Sequence, residues 1–205
     1  YQKDDFRLTA ESLESAVTPR SKLLILPYPN NPTGAIMEKA DLEAVARVVE
    51  KHDLLVISDE IYSELIYDGH THVSFASLEG MYPRTITING FSKAFAMTRW
   101  RVGYACAAEE IIGVMNKIHQ YAIMCAPRQG QVAALAARRT GRENGYESIL
   151  AMRDSYDRRR RLMVSAFREM GLDCFDPFGA FYVFPSVSRT GLSSEEFCAQ
   201  LLQEK

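Results

Sequence analysis

Apolar residues gather in three short runs, at 22–26, 54–57 and 85–88, each the length of a strand buried inside a sheet. Between the first two, Leu42, Val45, Ala46, Val48 and Val49 recur at helical spacing within residues 38–52, which predicts a strand, an amphipathic helix and a second strand. Strands that alternate with helical patterns argue for a parallel sheet with helical crossovers. Residues 109–124, 128–139 and 143–170 carry further helical patterns. Residues 172–175 and 181–184 read as strands on either side of a turn at Asp176-Pro177-Phe178-Gly179, with the long helix before them bridging into a second, smaller domain.

Distinctive polar segments fall just where these strands end. The first run leads into Pro27-Tyr28-Pro29-Asn30-Asn31-Pro32-Thr33-Gly34, whose prolines fix φ and remove amide donors and whose glycine permits positive φ; this is a shaped loop. Asp59-Glu60-Ile61-Tyr62 follows the second run and Phe91-Ser92-Lys93 the third. Ligands of open parallel sheets bind at the carboxyl edge of the strands, so these three distant segments are expected to converge there.

The chain has 205 residues, of which 47% are hydrophobic and 24% charged, enough to bury a sizeable core in one or two domains. A net charge of −2 gives no electrostatic reason to expect nucleic acid or an anionic membrane as partner. No apolar run is long enough to span a bilayer. Arg158, Arg159, Arg160 and Arg161 lie inside a helical pattern and read as a solvated helix face. Cys106, Cys125, Cys174 and Cys198 are far apart beside apolar residues, which suits reduced core thiols of a cytosolic protein. His70 and His72 have no further histidine or cysteine at ligand spacing, so no metal site is expected. The opening Tyr1-Gln2-Lys3-Asp4-Asp5 has neither an initiator methionine nor a signal-peptide core and reads as the middle of a longer protein.

Chemistry centres on Lys93. A lysine amine attacks a carbonyl carbon only when unprotonated, a state favoured by burial or by a neighbouring positive charge such as Arg101, eight residues on. Each candidate also has a plain structural reading. An aspartate at a strand end commonly caps a helix, Tyr62 serves as a half-buried aromatic, and Lys93 and Arg101 serve as surface charges.

Asn31-Pro32-Thr33-Gly34, then Asp59-Glu60-Ile61-Tyr62, then Ser92-Lys93, then Arg101 with Gly103-Tyr104, together resemble the class I/II aminotransferases of the fold-type I pyridoxal phosphate enzymes, over nearly the whole chain. That resemblance implies an α/β fold, a three-layer parallel-rich sheet with flanking helices and part of a smaller α+β domain. Residues 1–145 would be the C-terminal portion of the large cofactor-binding domain, and residues 146–205 the connecting helix and part of the small domain. It implies pyridoxal 5'-phosphate as cofactor, carried by Lys93 as an internal aldimine. Asp59 would pair with the ring nitrogen, Asn31 and Tyr62 would hold the ring oxygen, and Ser92 and Arg101 would bind the phosphate. The freed Lys93 amine would then move the proton, making Lys93, Asp59 and Tyr62 the catalytic set. The reaction implied is transfer of an amino group between an amino acid and a 2-oxo acid, by a cytoplasmic homodimer.

Two departures from the family pattern matter. Arg99 stands where family members commonly have glycine, so a bulky cation occupies a turn beside the expected phosphate site. The resemblance also implies parts not found in this sequence: a phosphate-binding loop, an aromatic residue stacked on the cofactor and an arginine for the substrate carboxylate. The 205 residues alone are therefore expected to be a poor catalyst at best. A carbon–sulfur β-lyase of the same fold and a non-catalytic aminotransferase-like ligand-sensing module are the alternatives. The segment Phe178-Gly179-Ala180-Phe181-Tyr182 either approaches the substrate or forms a hairpin with core aromatics.

Overall fold

The structure, a computed structural model, describes residues 4–204; residues 1–3, part of the opening segment noted above, and residue 205 lie outside the described residues. In chain order the elements are α1 (Ala10–Ala16), β1 (Leu23–Pro27), α2 (Lys39–Lys51), β2 (Leu55–Asp59), β3 (Thr85–Gly90), β4 (Gly103–Cys106), α3 (Glu109–Ala122), α4 (Arg128–Glu143), α5 (Glu147–Glu169), β5 (Asp173–Cys174), β6 (Pro185–Ser186) and α6 (Ser194–Leu201). Strands β1, β2 and β3 pair in parallel, and β4 adds antiparallel to β3, giving a four-stranded sheet in the order β1-β2-β3-β4. The sheet is thus parallel-rich, as the resemblance implies, with one antiparallel strand at its edge.

Helix α2 forms where the apolar spacing predicts it. Asp41 accepts from the Glu38 amide at 2.9 Å and Arg7 donates to the same carboxylate at 2.9 Å, fixing the first turn. Its buried stripe, Leu42, Val45, Ala46, Val48 and Val49, packs with Leu26, Leu54, Val56, Phe75 and Met81 into the main core. Val45 and Val49 are fully buried, each contributing about 1.5–3 kcal/mol relative to exposure. The other face of the sheet carries Leu23, Ile25 and Leu55, which are 45%, 62% and 42% exposed.

The C-terminal region departs most from expectation. Strand β5 forms within 172–175, but its partner is Pro185–Ser186 and not 181–184. Phe181 and Tyr182, consecutive residues, both pack on the Tyr62 ring, with centroids 5.3 and 5.8 Å away. Successive side chains of a strand point to opposite faces, so a strand cannot make both contacts. Cys174 is buried, but Cys106, Cys125 and Cys198 are exposed, correcting the expectation of core thiols. Arg160 is likewise not part of a solvated face. It is buried, donates to Asp157 at 2.8 Å, to Asp68 at 2.5 Å and to the Pro177 carbonyl at 3.4 Å, and lies over the Tyr67 ring.

The Asn31–Gly34 loop meets the turn at Pro177-Phe178-Gly179 along a backbone seam. The Gly179 amide donates to the Gly34 carbonyl at 2.8 Å, the Tyr67 amide to the Phe178 carbonyl at 3.0 Å, and the Ala180 amide to the Leu65 carbonyl at 2.9 Å. Gly34 sits at φ +73, and a Cβ there would lie 2.3 Å from the Pro177 Cβ. Gly34→Ala is expected to destabilise the protein by about 2–4 kcal/mol, combining left-handed strain with overpacking, as read by urea unfolding. A change below about 0.5 kcal/mol would show that the seam yields easily.

Glu60 is the buried polar hub beneath this edge. Its carboxylate accepts from Ser58 at 3.0 Å, Ser74 at 2.8 Å and the Phe75 amide at 3.2 Å, and pairs with His72 Nε2 at 2.9 Å. Burial pushes its pKa up, but His72, Ser74 and Ser58 outweigh burial and hold it below the ordinary carboxylate value. A depressed folded-state pKa stabilises above the unfolded value and is lost as pH falls through the folded one. Acid unfolding below pH 4.5 should therefore be shallower in Glu60→Gln than in the native protein. Glu60→Ala should cost about 3–5 kcal/mol at neutral pH, because its partners stay buried without an acceptor.

Candidate functional site

Sheet register aligns the strand ends from which the site is built. Pro27 pairs with Asp59, and Asp59 with Ile88, so the loops beginning after β1, β2 and β3 leave one edge side by side. This is the edge at which the sequence places its polar segments. Alternation along β2 sends Ser58 and Glu60 into the core while Asp59, between them, stays half-buried on the other face. Asp59 Oδ1 accepts from the Ile61 amide at 3.2 Å, a local turn contact of the capping kind; among the described residues its other oxygen makes no hydrogen bond.

Asn31 and Tyr62, 31 positions apart in sequence, meet through a third residue. The Asn31 Nδ2 donates to the Tyr182 hydroxyl at 3.1 Å, and the hydroxyls of Tyr62 and Tyr182 lie 2.7 Å apart. Lys93 Nζ stands 5.3 Å from the centroids of both the Tyr62 and Phe181 rings. Burial and the hydrogen bond with Tyr62 push the Tyr182 phenol up to about 12, against the opposing charge of Lys93. Tyr182 therefore keeps its proton at neutral pH.

Ser92 and Arg101 belong to one loop that hydrogen bonds tie together. The Thr98 hydroxyl donates to the Ser92 carbonyl at 3.0 Å, and Arg101 Nη1 donates to the Thr98 carbonyl at 3.1 Å. Ala96 and Arg101 both adopt φ of +52, a left-handed conformation that costs energy for residues other than glycine and persists only where the surroundings impose it. Among the described residues, Asp59, Ser92 and Arg101 make no hydrogen bond to the Asn31–Tyr62–Tyr182 cluster. Arg99 is exposed in the short turn Thr98–Trp100 and makes no hydrogen bond or ion pair among the described residues. His70 pairs with Glu38 and His72 with Glu60, two different carboxylates.

The donor set has a definite chemical character. Two polar groups, the Asn31 amide and the Tyr62 phenol, are held side by side by the Tyr182 hydroxyl; a carboxylate oxygen without a hydrogen bond among the described residues stands at the neighbouring strand end, and a lysine amine lies over aromatic faces. This suits a flat ring bearing an acceptor oxygen and a basic nitrogen. Tyr182 is the member that sequence reasoning left undecided between substrate approach and hairpin core. Its hydrogen bonds link the C-terminal segment to the strand edge, and the signal for it was the aromatic pair directly after Gly179-Ala180.

The sequence matches the family "Aminotransferase class I and II" over residues 1–205. It is 45% identical over 204 residues to aromatic-amino-acid aminotransferase 2 of Thermococcus litoralis, covering 100% of this chain and 52% of that protein. It is 47% identical over 204 residues to the aspartate aminotransferase of Pyrococcus abyssi, again covering 100% of this chain and 52% of that protein. Among solved structures, the aromatic aminotransferase of Pyrococcus horikoshii superimposes with a TM-score of 0.95 at 46% identity, covering 100% of this chain and 54% of that one. The chain spans about half the length of the curated relatives it matches. Its fold is that of the fold-type I enzymes, and the chain belongs to the class I and II aminotransferases.

Proposed function

We propose that this chain is part of an enzyme that uses pyridoxal 5'-phosphate to transfer an amino group between an amino acid and a 2-oxo acid. The observation that carries this reading is that the Asn31 amide and the Tyr62 phenol are brought together through the Tyr182 hydroxyl, with the Lys93 amine over the Tyr62 ring. Family membership and relatives named as aminotransferases support transamination over the β-lyase and ligand-sensing alternatives.

In this reading Asn31 and Tyr62 hold the ring oxygen, Asp59 faces the ring nitrogen, and Ser92 and Arg101 hold the phosphate. The cofactor, when bound, supplies an electron sink for the carbanion left as a proton departs from the substrate α-carbon. Lys93 would attach the cofactor at rest, and its released amine would carry the proton from the substrate α-carbon to the cofactor carbon, the opposite transfer serving the second half-reaction. Asp59 would keep a proton on the ring nitrogen by a charge-assisted hydrogen bond. Residues 1–145 form part of the large cofactor-binding domain, and residues 146–205 form the connecting helix and part of the small domain. The break between α4 and α5 supports this division, since Gly145 and Tyr146 are both left-handed there. The homodimer and the cytoplasmic location rest on the family resemblance; no helix among the described residues is long and apolar enough to cross a membrane. The charge balance of −2 supports small-molecule substrates over nucleic acid.

Borohydride reduction of the protein at its full encoded length with pyridoxal phosphate, followed by peptide mapping, should label Lys93. Label on another lysine, or none, would sink the assignment. Asp59→Ala should lower turnover with aromatic amino acids or aspartate and a 2-oxo acid by about three orders of magnitude while cofactor binding persists. Near-native turnover in that variant would reduce Asp59 to the turn contact it makes with Ile61. Release of pyruvate and ammonia without an acceptor would point to elimination instead.

A further inference from the structure

We propose, taking the site as a pyridoxal phosphate site, that the Tyr182 hydroxyl is a positioning group that anchors both ring-oxygen donors. Tyr182 touches Asn31 at 3.1 Å and Tyr62 at 2.7 Å, so one hydroxyl of the C-terminal segment engages both side chains. Hydrogen-bonding capacity makes the arrangement directional. The Asn31 amide carries two N–H groups, and a phenol carries one O–H and accepts through its oxygen. One Asn31 N–H is spent on Tyr182, which leaves the other for a ligand. If Tyr182, already accepting from Asn31, donates its proton to Tyr62, the Tyr62 proton is left to point outward. The chain then runs from the Asn31 N–H to the Tyr182 oxygen, and from the Tyr182 O–H to the Tyr62 oxygen, with the Tyr62 O–H left for the ring oxygen. Each donor in such a chain polarises the next, so the terminal O–H is strengthened.

The surroundings hold Tyr182 in place for this. Its ring lies 5.8 Å from that of Tyr62 and 4.9 Å from that of Phe181, each tilted or edge-on. The backbone seam at Gly34–Gly179 and Leu65–Ala180 fixes the segment just before it. Tyr62 and Lys93 are the titratable groups that face it, and its phenol, held up to about 12, remains a proton donor across the working pH range.

The experiment compares the native protein with Tyr182→Phe, both at full encoded length and loaded with pyridoxal phosphate. It follows the pH midpoint of the bound cofactor's absorbance and the cofactor dissociation constant. Donors to a ring oxygen favour its deprotonated form, so loss of their anchor should move the midpoint up by about half a unit and weaken binding about three- to tenfold. Added to Tyr62→Phe, the same change should move the midpoint by less than it does in the native background, because the two groups act in series. Tyr182→Met gives the same two readings without the ring if the phenylalanine variant fails to fold. A variant that melts earlier while its midpoint and affinity stay native shows a packing role only and overturns the inference, as does an equal shift in both backgrounds. Failure of the native protein to be labelled at Lys93 overturns the cofactor reading and this inference with it; labelling at Lys93 with an unmoved midpoint overturns this inference alone.

Discussion

Everything at the candidate site depends on the close backbone contact between Gly34 and Gly179. A Cβ on Gly34 would fall 2.3 Å from the Pro177 Cβ, and one on Gly179 2.5 Å from the Pro29 Cβ, so the two loops meet at a spacing only glycines allow. The hydrogen bond between the Gly179 amide and the Gly34 carbonyl, 2.8 Å long, then sets the register. Asn31 lies three residues before Gly34 and Tyr182 three after Gly179, so fixing the glycines brings those two side chains together. The Asn31–Tyr182 contact across 151 positions of sequence is a consequence of that register.

Two buried charges brace the seam from either side. Glu60 ties the end of β2 to Ser74 and Phe75, and Arg160 ties α5 to Asp68 and to the Pro177 carbonyl. Burying a charge is costly, and a well-satisfied buried ion pair adds little net stability over apolar packing. What these groups add is position. Glu60 cannot rotate to the ligand face without leaving several donors unsatisfied, so Asp59, next to it, is held on that face by alternation. Arg160 similarly fixes the start of the turn that delivers Gly179.

The elements with strong internal periodicity were legible in the sequence. The stripe from Leu42 to Val49 gave helix α2 to within a residue at each end, and the three apolar runs gave β1, β2 and β3. Helix α1 was missed because seven residues with Leu13 alone buried carry almost no periodic signal. Strand β4 was missed because it is four residues long, begins with glycine, and exists by pairing with β3. The convergence of the strand-end segments was legible, since topology dictates it. The partners of Arg160 and Tyr182 were not, because hydropathy reports whether a residue tends to meet water and says nothing of a partner such as Asp68 or Asn31. The exposure of three cysteines was misjudged for a related reason: apolar sequence neighbours do not make a position part of the core.

Lys93 shows how the aromatic surroundings bear on chemistry. Among the described residues its amine has no carboxylate partner; it stands 5.3 Å from the faces of Tyr62 and Phe181, rings that meet edge-on at 84°. Phe181 in turn stacks on Tyr156 of α5, so the lysine's position is linked through rings to the long helix. A cation over an aromatic face gains about 0.5–2 kcal/mol, at the low end where water reaches it, whereas a hydrogen bond to a charged group is worth about 1.5–3 kcal/mol. The weaker hold steers the amine without binding it firmly. The role proposed for Lys93, alternating between a covalent link and a free, proton-carrying amine, would need that kind of hold, because a carboxylate partner would have to be broken away at each exchange. In the proposed function, the aromatic cluster would guide Lys93 Nζ and leave its bonding capacity for the ligand.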